Sequence, residues 1–171
     1  MKSQISFVPD IDKIKQSIFY IMGRGEARPY HIMKILFEAD KFHINNYGRP
    51  VAGASIMAEA HGTTPRQARD IVAEMWGVGT DFFNNNNSLD SKESPDMSYL
   101  SGSDKKALDV GFDKYGKKTT EEVERLNHRE SAWIKALENN LDEIPAEYFL
   151  EGGENSVFYP RLASFGKNIV F

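Results

Sequence analysis

The sequence predicts a mainly α-helical fold: a single compact helical domain, residues 1–171, carrying a small β-hairpin or minor sheet. Three observations predict it. Apolar residues recur at helical spacing in one segment after another. Most of those segments are bounded by helix-starting and helix-stopping residues. Only short runs remain that could pair as strands.

The first helix is expected from Asp10 to Met22, with Ile11, Ile14, Ile18 and Ile21 at helical spacing and Asp10 as the cap. Gly23-Arg24-Gly25 breaks it and reads as a turn, since a phosphate loop needs a preceding strand and more glycines. A second helix opens at Pro29, which suits the first helical turn, and ends near Asn45–Tyr47. Ile32, Ile35, Leu36, Ala39 and His43 share its stripe, while Met33 and Phe37 lie off it, so this helix packs on more than one side. Gly48 suits a left-handed cap and Pro50 prevents continuation.

Val51 to Ala60 fits either a strand or a helix, and His61-Gly62 reads as a turn. Thr64-Pro65-Arg66-Gln67 reads as a capping box opening a helix with Ala68, Ile71, Val72 and Met75, ending near Trp76-Gly77. Residues 77–100, with their NNNN run, read as a polar, mobile loop or insertion with a short strand near Met97–Leu100. Helices resume at Ser103–Tyr115, after the capping box Thr119–Glu122, and after Ser131, where Trp133, Leu137 and Leu141 fall four apart. The closing SFGKNIVF could add a small strand.

Composition narrows the function. The chain has 171 residues, 40% apolar and 27% charged, as a soluble globular protein does. A net charge of -4 with no basic block argues against a protein built to grip phosphates. Arg66 and Arg69 could face DNA, but Asp70 and Glu74 on the same helix would repel it. The absence of cysteine excludes disulfides and thiolate chemistry. No apolar stretch reads as a signal peptide or membrane span, so a cytoplasmic location without membrane contact is expected.

G-x-S-x-G, Walker and Rossmann patterns are absent. Glu121, Glu122 and Glu124 read as a solvated helix N-terminus. Asp40, His43, His61 and His128 could supply a metal-dependent hydrolase, the enzymatic alternative, but no HExxH spacing supports it. No catalytic, metal or cofactor residue is therefore assigned, and no enzyme is required.

What remains is a protein whose product is a surface. ADKFHINNYGRPVAG, EAHGTTPRQARDIV and LSGSDKKALDVGFDKYGKKTTEEVERLNHRESAW together resemble the Panacea domain of SocA-like antitoxins. The family shows a "FAD..H...YGRP..G" helix end, a "HGP.P...Y" turn and a later "LS..D...L......Y......L...TH...W" segment. The similarity spans roughly Pro29 to Leu137 with the spacing kept. It implies Asp40, His43, Tyr47, Gly48, Arg49, Pro50, Gly53, His61, Gly62, His128 and Trp133 as motif positions that serve the scaffold or a partner. Thr63 and Thr64 depart from the family's small apolar residues and are expected to change the turn's surface.

The resemblance implies an antitoxin that neutralises a cognate protein toxin by direct contact, in some relatives by delivering it to a protease. Toxins of the small alarmone-synthetase type are among the implied partners, and phages and prophages among the carriers. Within the motif, Asp40 is expected to pair with Arg49 across the helix end, and His43 to be a satisfied core residue. Trp133 and His128 are expected in the core beside it. Partner contacts are expected from the 77–100 loop and the tail, with Phe82, Phe83, Tyr99, Phe158 and Tyr159 as aromatic anchors, ordinary core packing being the competing reading of each.

Overall fold

The computed structural model describes residues 5–165 and 171. Among them the chain forms seven α-helices and one two-stranded antiparallel sheet. Helix α1, Ile11–Gly23, starts as its sequence demands: Asp10 accepts a hydrogen bond from the Lys13 N–H at 3.0 Å. Helix α2, Pro29–Tyr47, starts on its proline and stops at Gly48, which adopts the left-handed φ of 73°.

α2 is the axis of the molecule, and its two apolar faces have separate destinations. Ile32, Ile35, Leu36 and Ala39 enter one cluster with Ile14 and Ile18 of α1. Phe37 and Ile44 enter another, with Ile56, Ala132, Ala136, Ile144, Phe149 and Leu162. Burial on both sides removes α2 from water almost along its length. A fully buried side chain such as Phe37 contributes about 1.5–3 kcal/mol.

Strands β1, Ile56–Glu59, and β2, Gly62–Pro65, form a hairpin with Glu59 opposite Gly62 and a two-residue turn, Ala60-His61. The ambiguity over 51–60 thus resolves as a strand. Residues 142–144 lie along its other edge, where Ala58 N–H donates to Asp142 and Ile144 N–H to Ile56. That edge is therefore paired rather than left open.

Helix α3, Arg66–Trp76, follows directly, without the expected capping box. Thr64 is buried in β2 opposite Met57, so its side chain is not at the helix start. Gln67 instead turns to Ser55, accepting from its N–H at 2.7 Å and donating to its hydroxyl at 3.1 Å.

Helix α4, Gly102–Tyr115, runs along α2. The two backbones meet at Gly111, where a Cβ would stand 2.4 Å from the Ile35 carbonyl oxygen. Only glycine admits that approach without a shift. Helix α5, Thr120–Asn127, carries the expected box of Thr119 and Glu122. Helix α6, Ser131–Glu138, has Glu130 rather than Ser131 at the cap position; Leu137 is exposed and Leu141 lies past its end. Helix α7 is Tyr159–Phe165. The expected terminal strand fails at Ser164 and Phe165, which close α7, and its residues 166–170 lie outside the described residues.

The 77–100 segment is irregular but packed. Met97–Tyr99 is a 3-10 turn, not a strand. Asn86, from the polar NNNN run, accepts from the Tyr30 N–H at 2.9 Å and reaches His31 and Thr120. It thereby serves the start of α2, which has no side-chain cap of its own. Leu89 N–H donates to Ala27 at 2.8 Å, and Phe82 is buried. No described helix is long and apolar enough to cross a membrane.

Candidate functional site

The motif residues separate into two places. The first is a buried charge network where α1, the end of α2 and the start of α4 converge. Asp104 sits in the first turn of α4 because the Ser101–Asp104 capping box holds it there: its Oδ2 accepts the Ser101 N–H at 2.9 Å. The same Oδ2 meets Lys13 Nζ of α1 at 3.0 Å. Oδ1 faces Arg49 Nη1 at 3.1 Å and His43 Nε2 at 3.4 Å. The Arg49 approach is a charge contact rather than an aligned hydrogen bond and the His43 approach a packing contact, for Oδ1 is buried with no donor directed at it. Arg49 aims the same Nη1 at the Pro50 carbonyl, at 2.8 Å.

Burial opposes the Asp104 charge, but the Ser101 N–H, Lys13 and Arg49 outweigh it and hold its carboxyl below the usual range.

His43 is fully buried and both ring nitrogens are used. Nδ1 lies 2.8 Å from the Arg49 carbonyl, which can only accept, so Nδ1 carries the proton. Nε2 then accepts from the Ser103 hydroxyl at 2.9 Å. Burial pushes this imidazole down to about 4, so it is neutral near pH 7. Tyr47 packs its ring 4.6 Å from that of His43.

The expected Asp40–Arg49 pair does not form. After the left-handed Gly48 the chain turns back, and Val51 N–H donates to Asp40 Oδ1 at 2.8 Å while Arg49 goes to Asp104. Burial pushes Asp40 up to about 7. Gly53 lies against Phe7, and Phe158 covers Gly48.

The second place is the hairpin turn. Four carbonyls in and beside it are each met by a side-chain donor. Trp133 donates to Glu59 at 2.9 Å, His128 Nε2 to Ala60 at 3.1 Å, Tyr30 to His61 at 2.7 Å and Lys34 Nζ to Thr63 at 2.7 Å. Asn127 accepts the Thr63 N–H at 2.7 Å, occupying the space a side chain at position 62 would need: a Cβ on Gly62, whose φ is 114°, would fall 1.9 Å from Asn127 Oδ1. The turn is thus held from four helices, α2, α4 through Tyr115 and Asn127, α5 and α6.

On its outer side His61 stacks on Phe83 at 3.7 Å and bonds Glu124 at 2.5 Å, with 43% of its side chain exposed. His128 stacks on Trp133 at 4.4 Å. His128 and Trp133 are therefore half-buried clamps on the hairpin, not core beside Asp40. Thr63 and Thr64 are buried, so they leave the turn's surface unchanged, contrary to expectation.

The four side chains weighed as a metal set do not converge. Among the described residues no group of three or more His, Asp or Glu is placed to hold an ion. Asp40 and His43 are committed to backbone and Ser103, while His61 and His128 lie at the hairpin. Of the aromatic candidates, Phe82 is buried, Phe158 and Tyr159 pack partly into the second cluster, Phe83 stacks on His61, and Tyr99 is exposed.

Sequence reasoning missed Lys13, Tyr30, Lys34, Arg49's true partner Asp104, and Asn127. Lys34 had a readable signal: a lysine inside the apolar run Ile32-Met33-Lys34-Ile35-Leu36 has no route to water if that helix is buried all round.

Comparison with known proteins gives this helical scaffold, with its buried charge network and clamped hairpin turn, a family. A family model described as "Antitoxin SocA-like, Panacea domain" matches residues 32–134, and the chain belongs to that family. The matched span contains all but the first turn of α2, the hairpin, helices α3 to α5 and the start of α6. No curated protein and no solved structure matches the chain.

Proposed function

We propose that this chain neutralises a cognate protein toxin in the cytoplasm by binding it directly, with no bond made or broken. It does so as a single domain, residues 1–171, in which the buried motif holds the platform and the contacts come from the exposed face of the hairpin and the adjoining 77–100 segment. One observation carries the division: His43 has both nitrogens consumed inside the protein, whereas His61, from the same family pattern, is half out in solvent on a turn fixed by four side-chain donors.

A stoichiometric inhibitor needs a surface that loses little freedom on binding. The clamped turn meets that need, and Phe83 stacked on His61 and the exposed Met97 and Tyr99 are residue types that anchor interfaces. The tail contributes less than its aromatic content suggests, because Phe158 is turned inward over Gly48. An alanine scan scored by rescue of growth against the co-expressed toxin tests the reading. Loss of rescue at His61, Phe83, Met97 or Tyr99 in folded variants is the expected result. Full rescue by all four would overturn it.

A further inference from the structure

Beside the hairpin turn a cleft of about 240 Å³ opens between α2, the turn and residues 80–83. Tyr30, Met33, Phe82 and Phe83 form apolar walls, and Lys34 and Thr64 also line it. A liquid water takes about 30 Å³, so this is more than a packing defect and about the size of one large side chain or a small organic molecule.

Lys34 is the anomaly in that wall. Its side chain is 1% exposed, yet among the described residues no carboxylate forms an ion pair with it. Nζ donates one hydrogen bond, to the Thr63 carbonyl, and stands 4.4 Å from the centre of the Tyr30 ring. The acids that act on it do so from a distance, and each is engaged elsewhere. Glu59 pairs with Arg69 at 2.5 Å and Glu124 with His61 at 2.5 Å. Asp81, on the rim, is tied to Asn84. An ammonium has three donors, of which the protein engages one, and a buried cation without a counter-ion is costly, so an anion that reached Nζ through the cleft would be favoured there. Burial pushes this amine down to about 7, against the upward pull of Glu59 and Glu124.

We infer that the cleft is a binding site for a carboxylate carried on a compact apolar or aromatic body, with the carboxylate on Lys34 and the body against Tyr30, Met33 and Phe83. The inference is independent of the proposed antitoxin role. A free small acid and the C-terminal end of a polypeptide present the same chemistry.

The test is titration of the purified chain, followed by NMR, with 3-phenylpropionate for a free acid and the peptide Gly-Gly-Phe for a chain end, each against its own amide. At least one acid is expected to shift the Tyr30, His61 and Phe83 signals and to bind about tenfold more tightly than its amide, the loss expected when a charge-assisted hydrogen bond is removed. Preference confined to the peptide assigns the site to a chain end; preference shown by 3-phenylpropionate assigns it to a free acid. Lys34→Met is expected to abolish the preference, and Phe83→Ala to weaken acid and amide alike. If Lys34→Met fails to melt cooperatively, the acid–amide comparison on the native chain and Phe83→Ala still decide. Equal binding of acids and amides, or no binding of either acid, overturns the inference.

Discussion

His43 and His61 lie eighteen positions apart in one family pattern, and the protein uses them in opposite ways. His43 is sealed between α2 and α4 with a carbonyl on one nitrogen and a hydroxyl on the other. His61 stands on a two-residue turn, stacked on Phe83, bonded to Glu124 and open to solvent. The contrast extends to their surroundings. Around His43, charges are taken from water and matched with one another, an arrangement in which breaking a pair is far more damaging than the pair is stabilising. Around His61, the backbone is clamped from beneath and the outer side chains, though paired with one another, stay partly open to solvent. One motif therefore supplies both a buried brace and a half-exposed turn, the turn being the face proposed for the partner.

The sharpest way to break the comparison is at its buried end. Asp104→Ala removes the shared partner of Lys13 and Arg49 along with the carboxylate half of the α4 capping box. It is expected to lower the unfolding free energy by about 3–5 kcal/mol, read by urea denaturation. A loss under about 1 kcal/mol would mean that the network is incidental to the brace.

Next is Gly62→Ala. It forces a side chain into the place of Asn127 Oδ1 at a φ of 114° and should cost about 1–3 kcal/mol in the same assay. Thr119→Ala, which removes the α5 cap, should cost about 1 kcal/mol and leave partner binding intact. His61→Ala, at the exposed end, should change stability by less than about 1 kcal/mol while abolishing rescue from the toxin. That pairing of effects is the face without the brace.

The pH dependence sharpens the same contrast within the buried network. His43 is held at about 4, below its ordinary value near 6.5. Between those values the unfolded chain binds more protons, so the stability His43 confers is present above pH 6.5 and is lost as the pH falls toward 4. Asp40 is raised to about 7 from 3.8, so the folded chain binds more protons there and acidification favours folding over that range. The two oppose each other. Asp40→Asn keeps an oxygen for the Val51 N–H but removes the compensation, and its stability should fall more steeply than that of the native chain between pH 6.5 and 4. Parallel curves would refute the assignment.

Helices that obey local rules were legible in the sequence. α1 with Asp10, α2 from Pro29 to Gly48 and α5 with its Thr119–Glu122 box form as read, because caps and apolar spacing act within a few residues. The two-sided burial of α2 was legible too, since Phe37 falls off the main stripe and finds a second cluster. The misreadings share a cause: a residue suited to a local role was taken by a distant partner. Thr64 belongs to a strand and Gln67 to Ser55, so no box caps α3. Arg49 goes to Asp104, which is far along the chain, rather than to nearby Asp40. The NNNN run looks like an unstructured loop until Asn86 is seen serving the start of α2. At the site, the family pattern identified His43, His61 and Trp133, and His43 proved the satisfied core residue it was read as; the half-exposure of His61 was not legible, because it is set by elements far along the chain.

The most direct test is co-expression with the product of the neighbouring reading frame, after that product has been shown to arrest growth on its own, followed by size-exclusion chromatography. The account predicts growth rescue together with a stoichiometric complex, both lost in a His61→Ala, Phe83→Ala double variant that still melts cooperatively. Rescue without any complex, or a complex indifferent to that double variant, would contradict it.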